Sequence, residues 1–259
     1  MNRLTTRVTR GIELSRLAAG PVSRIWLAAM VGLLPVTRRA ASELRLPIRI
    51  AAGDRGRWFW FRDETELIAL HEIFLEDEYA VAADGRAATI VDLGANCGQA
   101  ALWFRARHPG ARILSVEPDP RTFAILRRNH GRDPRVEVRQ VAITAADGWC
   151  RLEREPDASW GTRVAAAGAA DVDHVPALSL ETLLDQHGIH EIDLLKVDIE
   201  GMEHEALAAS PALRRARRVV GEIHASLIGL PVDQAIEDLR RNGGFARARL
   251  DGDIFLLER

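Results

Sequence analysis

The sequence predicts an α/β fold built on a largely parallel sheet, and three observations carry that reading. Thr89 to Val91 are β-branched and apolar, as a strand buried on both faces requires, and Ala100, Ala101, Leu102, Phe104 and Ala106 then supply a helical stripe. The hydrophobic period therefore changes across the glycine-bearing turn from Asp92 to Gly98. A second apolar run, Arg112 to Val116, ends in Glu117-Pro118, and its acid lies 19 residues beyond Gly98. From there strand-like and helix-like stretches alternate to the end of the chain. For 259 residues, one such domain behind an N-terminal extension is the natural arrangement.

Residues 1–45 are rich in arginine and nearly free of acids, with an apolar stretch from Ile25 to Val36. That stretch, about a dozen residues, falls short of the ~20 needed to span a bilayer. Ala28-Ala29-Met30 sits inside it rather than after it, unlike a signal-peptide cleavage site. One or two amphipathic helices packed over the domain are expected, with membrane-surface contact as the alternative and no stable membrane insertion. Leu46 to Ile50 and Trp58 to Phe61, joined by Gly53-Asp54-Arg55-Gly56, read as a hairpin. Asp63 or Thr65 then caps a helix whose Leu67, Leu70, His71, Phe74 and Leu75 share a face, which makes His71 a packed histidine. The acidic Glu76-Asp77-Glu78-Tyr79 and the loop Ala82 to Arg86 lead into the main domain. Residues 1–75 are thus a helical and hairpin extension, and 76–259 the α/β domain.

Asp119 and Pro120 open a helix that runs through His130 to Gly131; His130 and His108 stand at helix ends, where imidazoles cap carbonyls. Val136 to Ile143 is the third strand, followed by the turn Ala146-Asp147-Gly148 and a short strand from Trp149 to Leu152. Residues 154–173 show no period and read as a mobile loop in which Trp160 and Arg163 carry recognition potential. His174 to Leu178 is extended, and Ser179 with Thr182 starts a helix ended by His187-Gly188. Ile192 to Ile199 is a buried strand, Glu203 to Ala209 a helix, Arg217 to Ile223 another strand and Pro231 to Arg241 an amphipathic helix. Phe245 to Leu250 and Ile254 to Leu257 form a hairpin on Asp251-Gly252-Asp253, adding antiparallel strands to one edge of the sheet.

Composition excludes several classes. A net charge of −2 offers no excess for a nucleic-acid polymer. Two cysteines, Cys97 and Cys150, make neither a disulfide framework nor a metal knuckle, so a reducing cytoplasm is expected. A homo-oligomer is left open. Lys196 is the only lysine in an arginine-rich chain and lies within an apolar run, where a charged head needs a partner.

Two stretches offer one ligand complementary features. The glycines of the Asp92–Gly98 turn let the backbone bend and let a ligand approach closely, and the following helix presents N–H groups. Glu117 stands where Rossmann-type sheets place a carboxylate that holds a ribose diol. Asp198, at the carboxyl end of its strand, and His224, at the end of the next, lie where open α/β sheets present ligands.

With these stretches identified, the sequence resembles the FkbM family of S-adenosylmethionine-dependent methyltransferases. The resemblance spans roughly Glu76 to Glu258. It rests on Val91-Asp92-Leu93-Gly94-Ala95-Asn96-Cys97-Gly98, Val116-Glu117-Pro118, Leu195-Lys196-Val197-Asp198-Ile199-Glu200-Gly201-Met202-Glu203 and Gly221-Glu222-Ile223-His224. It implies a Rossmann-like class I methyltransferase fold, a mostly parallel seven-stranded sheet with a C-terminal antiparallel hairpin. It also implies methyl transfer to a hydroxyl of a small molecule, a sugar or natural product, with S-adenosyl-L-methionine as cofactor. Carried over, Asp92, Gly94, Ala95, Asn96 and Gly98 hold the methionine part of the cofactor, Glu117 with Pro118 the ribose, and Val141-Ala142 the adenine edge.

Loss of the hydroxyl proton calls for a base, either Asp198 or His224, with Lys196 and Glu200 orienting or tuning it. Glu203 reads as an acid favouring a helix N-terminus. A divalent cation on Asp198, Glu200, Glu222 and His224 is an alternative; oxygen-rich ligands suit magnesium, but no spacing is diagnostic, and no metal is expected. Trp160, Arg163, His71, Trp58 and Trp60 are substrate contacts by chemistry alone. Glycines only at 94 and 98 do not make Gly-x-Gly-x-x-Gly, so an NAD-dependent oxidoreductase is the runner-up. A non-catalytic nucleotide-binding domain is the third reading.

Overall fold

A computed structural model describes residues 13, 15–27, 46–52, 55–61, 64–82, 85–154, 162–165 and 174–259. A helix covers residues 21–27, and β1 (Leu46–Ala52) pairs antiparallel with β2 (Arg55–Phe61) before α1 (Glu64–Leu75). The main domain begins with β3 (Thr89–Leu93), α2 (Gln99–Arg107), β4 (Arg112–Val116), α3 (Pro120–His130) and β5 (Val136–Arg139). Next come β6 (Ala142–Ile143), β7 (Gly148–Arg154), β8 (Thr162–Ala165), β9 (His174–Leu178) and α4 (Leu180–Gln186). The last part comprises β10 (Leu194–Val197), α5 (Glu203–Leu207), β11 (Arg218–Glu222), α6 (Ala225–Ile228), α7 (Val232–Gly243), β12 (Arg247–Asp251) and β13 (Ile254–Glu258).

Seven strands form the central sheet in the order β12-β13-β11-β10-β3-β4-β5. β5, β4, β3, β10 and β11 run parallel, while β13 inserts antiparallel between β11 and β12. This is the Rossmann-like class I methyltransferase fold with its reversed final strand and C-terminal hairpin. The chain order reverses between β3 and β10, and the crevice at that switch point is where open parallel sheets present ligands.

Local chemistry sets the elements. β3 and β10 are buried along nearly their whole length, and apart from the paired Asp92 and Lys196 their central residues are apolar. Asp119 caps α3 by accepting the Thr122 N–H at 2.9 Å, with Pro120 in the first turn. Ser179 caps α4 through the Thr182 N–H at 3.2 Å. Leu195, Val197, Val91 and Leu93 join the helices of one face in the larger apolar core.

Two expectations need correction. Val136 to Ile143 is not one strand: β5 is the edge of the central sheet, so the chain leaves it after Arg139, and Ala142-Ile143 pair with β9 in a second sheet ordered β6-β9-β7-β8. The loop placed at 154–173 contains β8, which pairs with β7 and sets Arg163 opposite Glu153. Ala142 pairs with the distant Ala177, which leaves no local period, and β8 is only four residues long, too short to set one. Trp160, the Gly53-Asp54 turn and Asp63 lie outside the described residues.

The extension shares its core with the main domain: Leu17, Ile50, Phe59 and Leu67 pack with Leu102 of α2 and Ile125 of α3. Asn129 ties β2 to the glycine turn, accepting the Trp60 N–H at 2.7 Å and donating to the carbonyl of Cys97 at 2.8 Å. Among the described residues, no helix is long and apolar enough to cross a membrane.

Candidate active site

The turn after β3 is built from left-handed backbone at Gly94 (φ 74°), Asn96 (φ 50°) and Gly98 (φ 94°). Gly94 is required for space as well as conformation: a Cβ there would strike the carbonyl oxygen of Asp198. The β3 turn and the end of β10 therefore touch across the switch point. A Cβ at Gly98 would meet the ring of His130, whose Nε2 lies 2.8 Å from the Gly98 carbonyl. Burial lowers the His130 pKa to about 4, so the ring is neutral and donates that bond. His130 thus holds a carbonyl of the glycine turn rather than of its own helix, and His108 accepts the Ala87 N–H at 3.4 Å. The turn's own N–H groups are largely engaged: those of Gly94 and Ala95 donate to the Val116 carbonyl at 3.0 and 2.8 Å, and that of Asn96 donates to Glu117 at 3.0 Å.

Glu117 is 7% exposed. Its second oxygen accepts the Asp119 N–H at 3.0 Å. Burial raises its pKa to about 7 against those two N–H donors. Each oxygen keeps a further lone pair for a hydroxyl.

Lys196 sits in the middle of the sheet, 2% exposed, in register with Asp92 on β3. Its Nζ lies 3.4 Å from Asp92 and 3.5 Å from Asp198, and donates to the carbonyls of Leu93 (3.3 Å) and Gly94 (2.6 Å). Burial opposes its charge, but the Asp198, Asp92 and Glu78 carboxylates outweigh burial and raise its pKa. Asp92 is fully buried and also accepts from the Ser115 hydroxyl at 3.2 Å. It stands beneath the crevice, not on its wall.

Asp198, Glu200, Glu222 and His224 line a cleft of about 360 Å³ with Gly94, Asn96, Gln99 and Lys196. The opposite wall comes from the extension's α1 and the segment after it: Thr65, Ile68, Glu72, Glu78 and Tyr79. A narrow annex of about 40 Å³, lined by Val116, Pro118, Val141 and Ile143, opens beside Gly94, Asp198 and Glu200. The annex walls of Val116, Pro118, Val141 and Ile143 are apolar; Ala142, expected beside Val141 at the adenine edge, is fully buried and does not line it.

His224 is the centre of the polar end. Its Nδ1 lies 2.8 Å from Glu203, while Nε2 has Glu200 at 3.5 Å, Glu222 at 3.8 Å and Asp198 at 4.0 Å. Burial lowers the imidazole's pKa, but the Glu203 hydrogen bond and the neighbouring charges outweigh it, raising the value to about 9. Burial also raises Glu200 and Glu78 to about 7. Glu200 has the left-handed φ of 52°, uncommon for glutamate, which carries its side chain into the cluster.

The orienting residue for His224 is therefore Glu203 rather than Glu200. Glu203 is fully buried and also accepts the N–H groups of Ile199 (3.2 Å) and Gly201 (3.1 Å). Its position at the start of α5 made it look like a simple helix-terminus acid. Glu72, Glu78 and Tyr79 are wall residues that the sequence does not mark out: Glu78 and Tyr79 belong to the acidic run before the domain, and Glu72 lies within α1. Trp58, Trp60 and His71 are elsewhere. Trp58 borders a groove of about 520 Å³ beside Arg105 and Asp133. Trp60 lies under the Arg128 guanidinium, 3.4 Å from the ring centre. His71 is held between Glu13 (3.1 Å) and Glu76 (3.2 Å).

A switch-point crevice with a glycine turn, a buried acid after the second strand and a polar cluster after the fourth defines a chain of the class I methyltransferase architecture. The methyltransferase FkbM domain model matches residues 92–244, and the chain belongs to that family. It is 32% identical over 169 residues to the 31-O-demethyl-FK506 methyltransferase FkbM of Streptomyces tacrolimicus, covering 52% of this chain and 65% of that protein. It is 31% identical over 137 residues to the 2-O-methyltransferase NoeI of Sinorhizobium fredii, covering 46% of this chain and 56% of that one. A match of 26% over 262 residues to the AMB antimetabolite synthetase AmbE of Pseudomonas aeruginosa covers 83% of this chain and 12% of the synthetase. The chain thus spans about two thirds or less of these relatives. Among solved structures, Aeropyrum pernix fibrillarin with bound S-adenosyl-L-methionine is 16% identical with a TM-score of 0.41, covering 67% of this chain and 66% of that one.

Proposed function

We propose that the protein transfers a methyl group from S-adenosyl-L-methionine to a hydroxyl oxygen of a small molecule, and that Asp198 accepts the hydroxyl proton. The observation that carries the reading is the single crevice in which the glycine turn, the apolar annex and the Asp198 cluster meet. The cofactor supplies an electrophilic methyl on a sulfonium, so what the protein contributes is alignment, worth up to about 7–11 kcal/mol in favourable cases. Val116, Pro118 and Val141 would flank the adenine and Glu117 would take the ribose hydroxyls. The side-chain oxygens of Asn96 and Gln99 are buried acceptors without a hydrogen-bond partner, suited to the donor N–H groups of a methionine ammonium.

Asp198 is preferred over His224 as the base because the imidazole, with a pKa of about 9, is already protonated at neutral pH. His224 instead places a positive charge beside the acids, and Glu203 fixes its orientation. The acceptor oxygen bonds the methyl carbon as the carbon–sulfur bond breaks with its electron pair remaining on sulfur, and the proton goes to Asp198. The relatives named as acting on oxygen support a hydroxyl acceptor. The engaged N–H groups at 94–96 weaken the nicotinamide reading, since a pyrophosphate needs such donors.

Calorimetric titration tests this. Micromolar binding of S-adenosylhomocysteine with none of NADH is expected; the reverse would overturn the proposal.

A further inference from the structure

We infer that the groove beside Trp58 binds a nucleoside phosphate, whose phosphate meets Arg132 and Arg135, whose base stacks on Trp58 and whose base N–H donates to the His130 imidazole. The groove holds about 520 Å³ and is walled by β2 and by the end of α3 with the segment after it. That volume falls within the roughly 300–1,000 Å³ of small-ligand pockets. No residue lines both this groove and the switch-point crevice or its annex, so the inference does not rest on the methyl-transfer reading.

An orphaned atom in the groove's lining points to a ligand. His130 is 2% exposed, and its Nδ1 is buried with no hydrogen-bond partner among the described residues. The Cδ2–Nε2 edge of the ring faces Gly98, where Nε2 donates to the carbonyl at 2.8 Å. The neutral ring therefore keeps its acceptor lone pair on Nδ1, which lies on the other edge, turned away from the glycine turn. Buried acceptors without a donor are uncommon, and a ligand lying in the groove that His130 lines supplies one.

The walls offer a charge and a ring face. Asp133 is the groove's one acid, and it is already engaged: it accepts from the Arg57 guanidinium at 2.9 Å, from that of Arg105 at 3.1 Å and from the Arg135 N–H at 3.1 Å. Arg132 and Arg135 are exposed and have no ion-pair partner among the described residues. Their planar forks match phosphate oxygens. Alternation along β2 buries Phe59 and leaves Trp58 62% exposed. The Arg128 guanidinium covers Trp60, two residues on, but among the described residues no ring or guanidinium covers Trp58. Bases of any sequence stack on such a face. A nucleoside phosphate carries the anion, the flat ring and the N–H donor in one molecule. S-adenosyl-L-methionine has no phosphate and does not meet that description.

Calorimetric titration of the full chain with guanosine monophosphate, guanosine and inorganic phosphate tests the site. One nucleotide per chain is expected, with guanosine and phosphate each bound at least tenfold more weakly. Arg132→Gln and Trp58→Ala, both at exposed positions, should each weaken the nucleotide at least fivefold, whereas Glu117→Gln in the crevice should leave it unchanged. Absence of saturable binding, inorganic phosphate bound as tightly as the nucleotide, or loss in Glu117→Gln but not in the two groove variants overturns the inference. Nitrogen magnetic resonance of histidine-labelled wild-type protein needs no variant: the Nδ1 resonance of His130 should move upfield as its lone pair accepts the donor. A resonance that stays in place while the nucleotide binds overturns the assignment of His130.

Discussion

Asp92 and Asp198 both lie within reach of the same lysine, yet the molecule uses them differently. Asp92 is in strand register with Lys196, fully buried, and bonded to Ser115. Asp198 is one residue past the end of β10, with its side chain 29% exposed toward the cleft. Two residues along the strand separate an ion pair that holds two strands together from a carboxylate that faces the cleft. Residue type and proximity to a cation do not distinguish the two; depth in the sheet does.

Lys196→Met should break the buried side most severely. It leaves Asp92 without its cation, and removing one partner of a buried pair costs about 3–5 kcal/mol. Chemical unfolding would show this, and Asp92→Asn in the same chain should recover part of the loss. If Lys196→Met were neutral, Asp92 would not depend on the lysine.

Asp198→Asn should do the opposite, lowering turnover by about 10²–10⁴-fold if it removes the general base. Stability should fall less than in Lys196→Met, because Asp198 is partly exposed and Asp92 remains as a partner of the lysine. Stopped turnover together with intact S-adenosylhomocysteine binding would sharpen the contrast with Asp92.

Gly94→Ala tests the join between the two regions. Strained left-handed backbone typically costs about 1–3 kcal/mol, and here the added Cβ also meets the Asp198 carbonyl. Cofactor affinity measured by calorimetry should fall along with stability.

The pH dependence is smaller. His224 has a folded pKa of about 9, above its ordinary 6.5. Its contribution to stability is therefore fully present below pH ~6.5 and is lost as pH rises through about 9. Denaturant midpoints should decline over that window in the wild type and flatten in His224→Gln. Smallest of all, Trp58→Ala, exposed on the far groove, should leave turnover unchanged.

The same contrast explains what the sequence disclosed. The positions of the central strands, the hairpin at Asp251-Gly252-Asp253 and the helix starts at Asp119 and Ser179 were legible because each is a local signal of period, turn or cap, whereas the arrangement of the strands in the sheet came only from the family resemblance. Of the small second sheet, β7 and β9 were legible as extended segments, but β8 and the membership of Ala142-Ile143 were not, since a two-residue and a four-residue strand are too short to set a period. At the site, Asp198, Glu200 and His224 announced themselves by crowding strand ends. Glu203 did not, because its bond to His224 spans 21 residues and is made in the interior. Glu78 and Tyr79 were hidden for a related reason: they come from the approach to the domain, and Tyr79 is held at the cleft by rings of α2, Trp103 and Phe104, more than 20 residues on.

The most direct measurement of the central claim is a structure of the protein with S-adenosylhomocysteine bound. Adenine beside Val116 and Val141, ribose at Glu117 and the sulfur facing Asp198 across Gly94 are expected. A ligand seated in the groove beside Trp58, or one whose sulfur faces away from Asp198, would contradict the account.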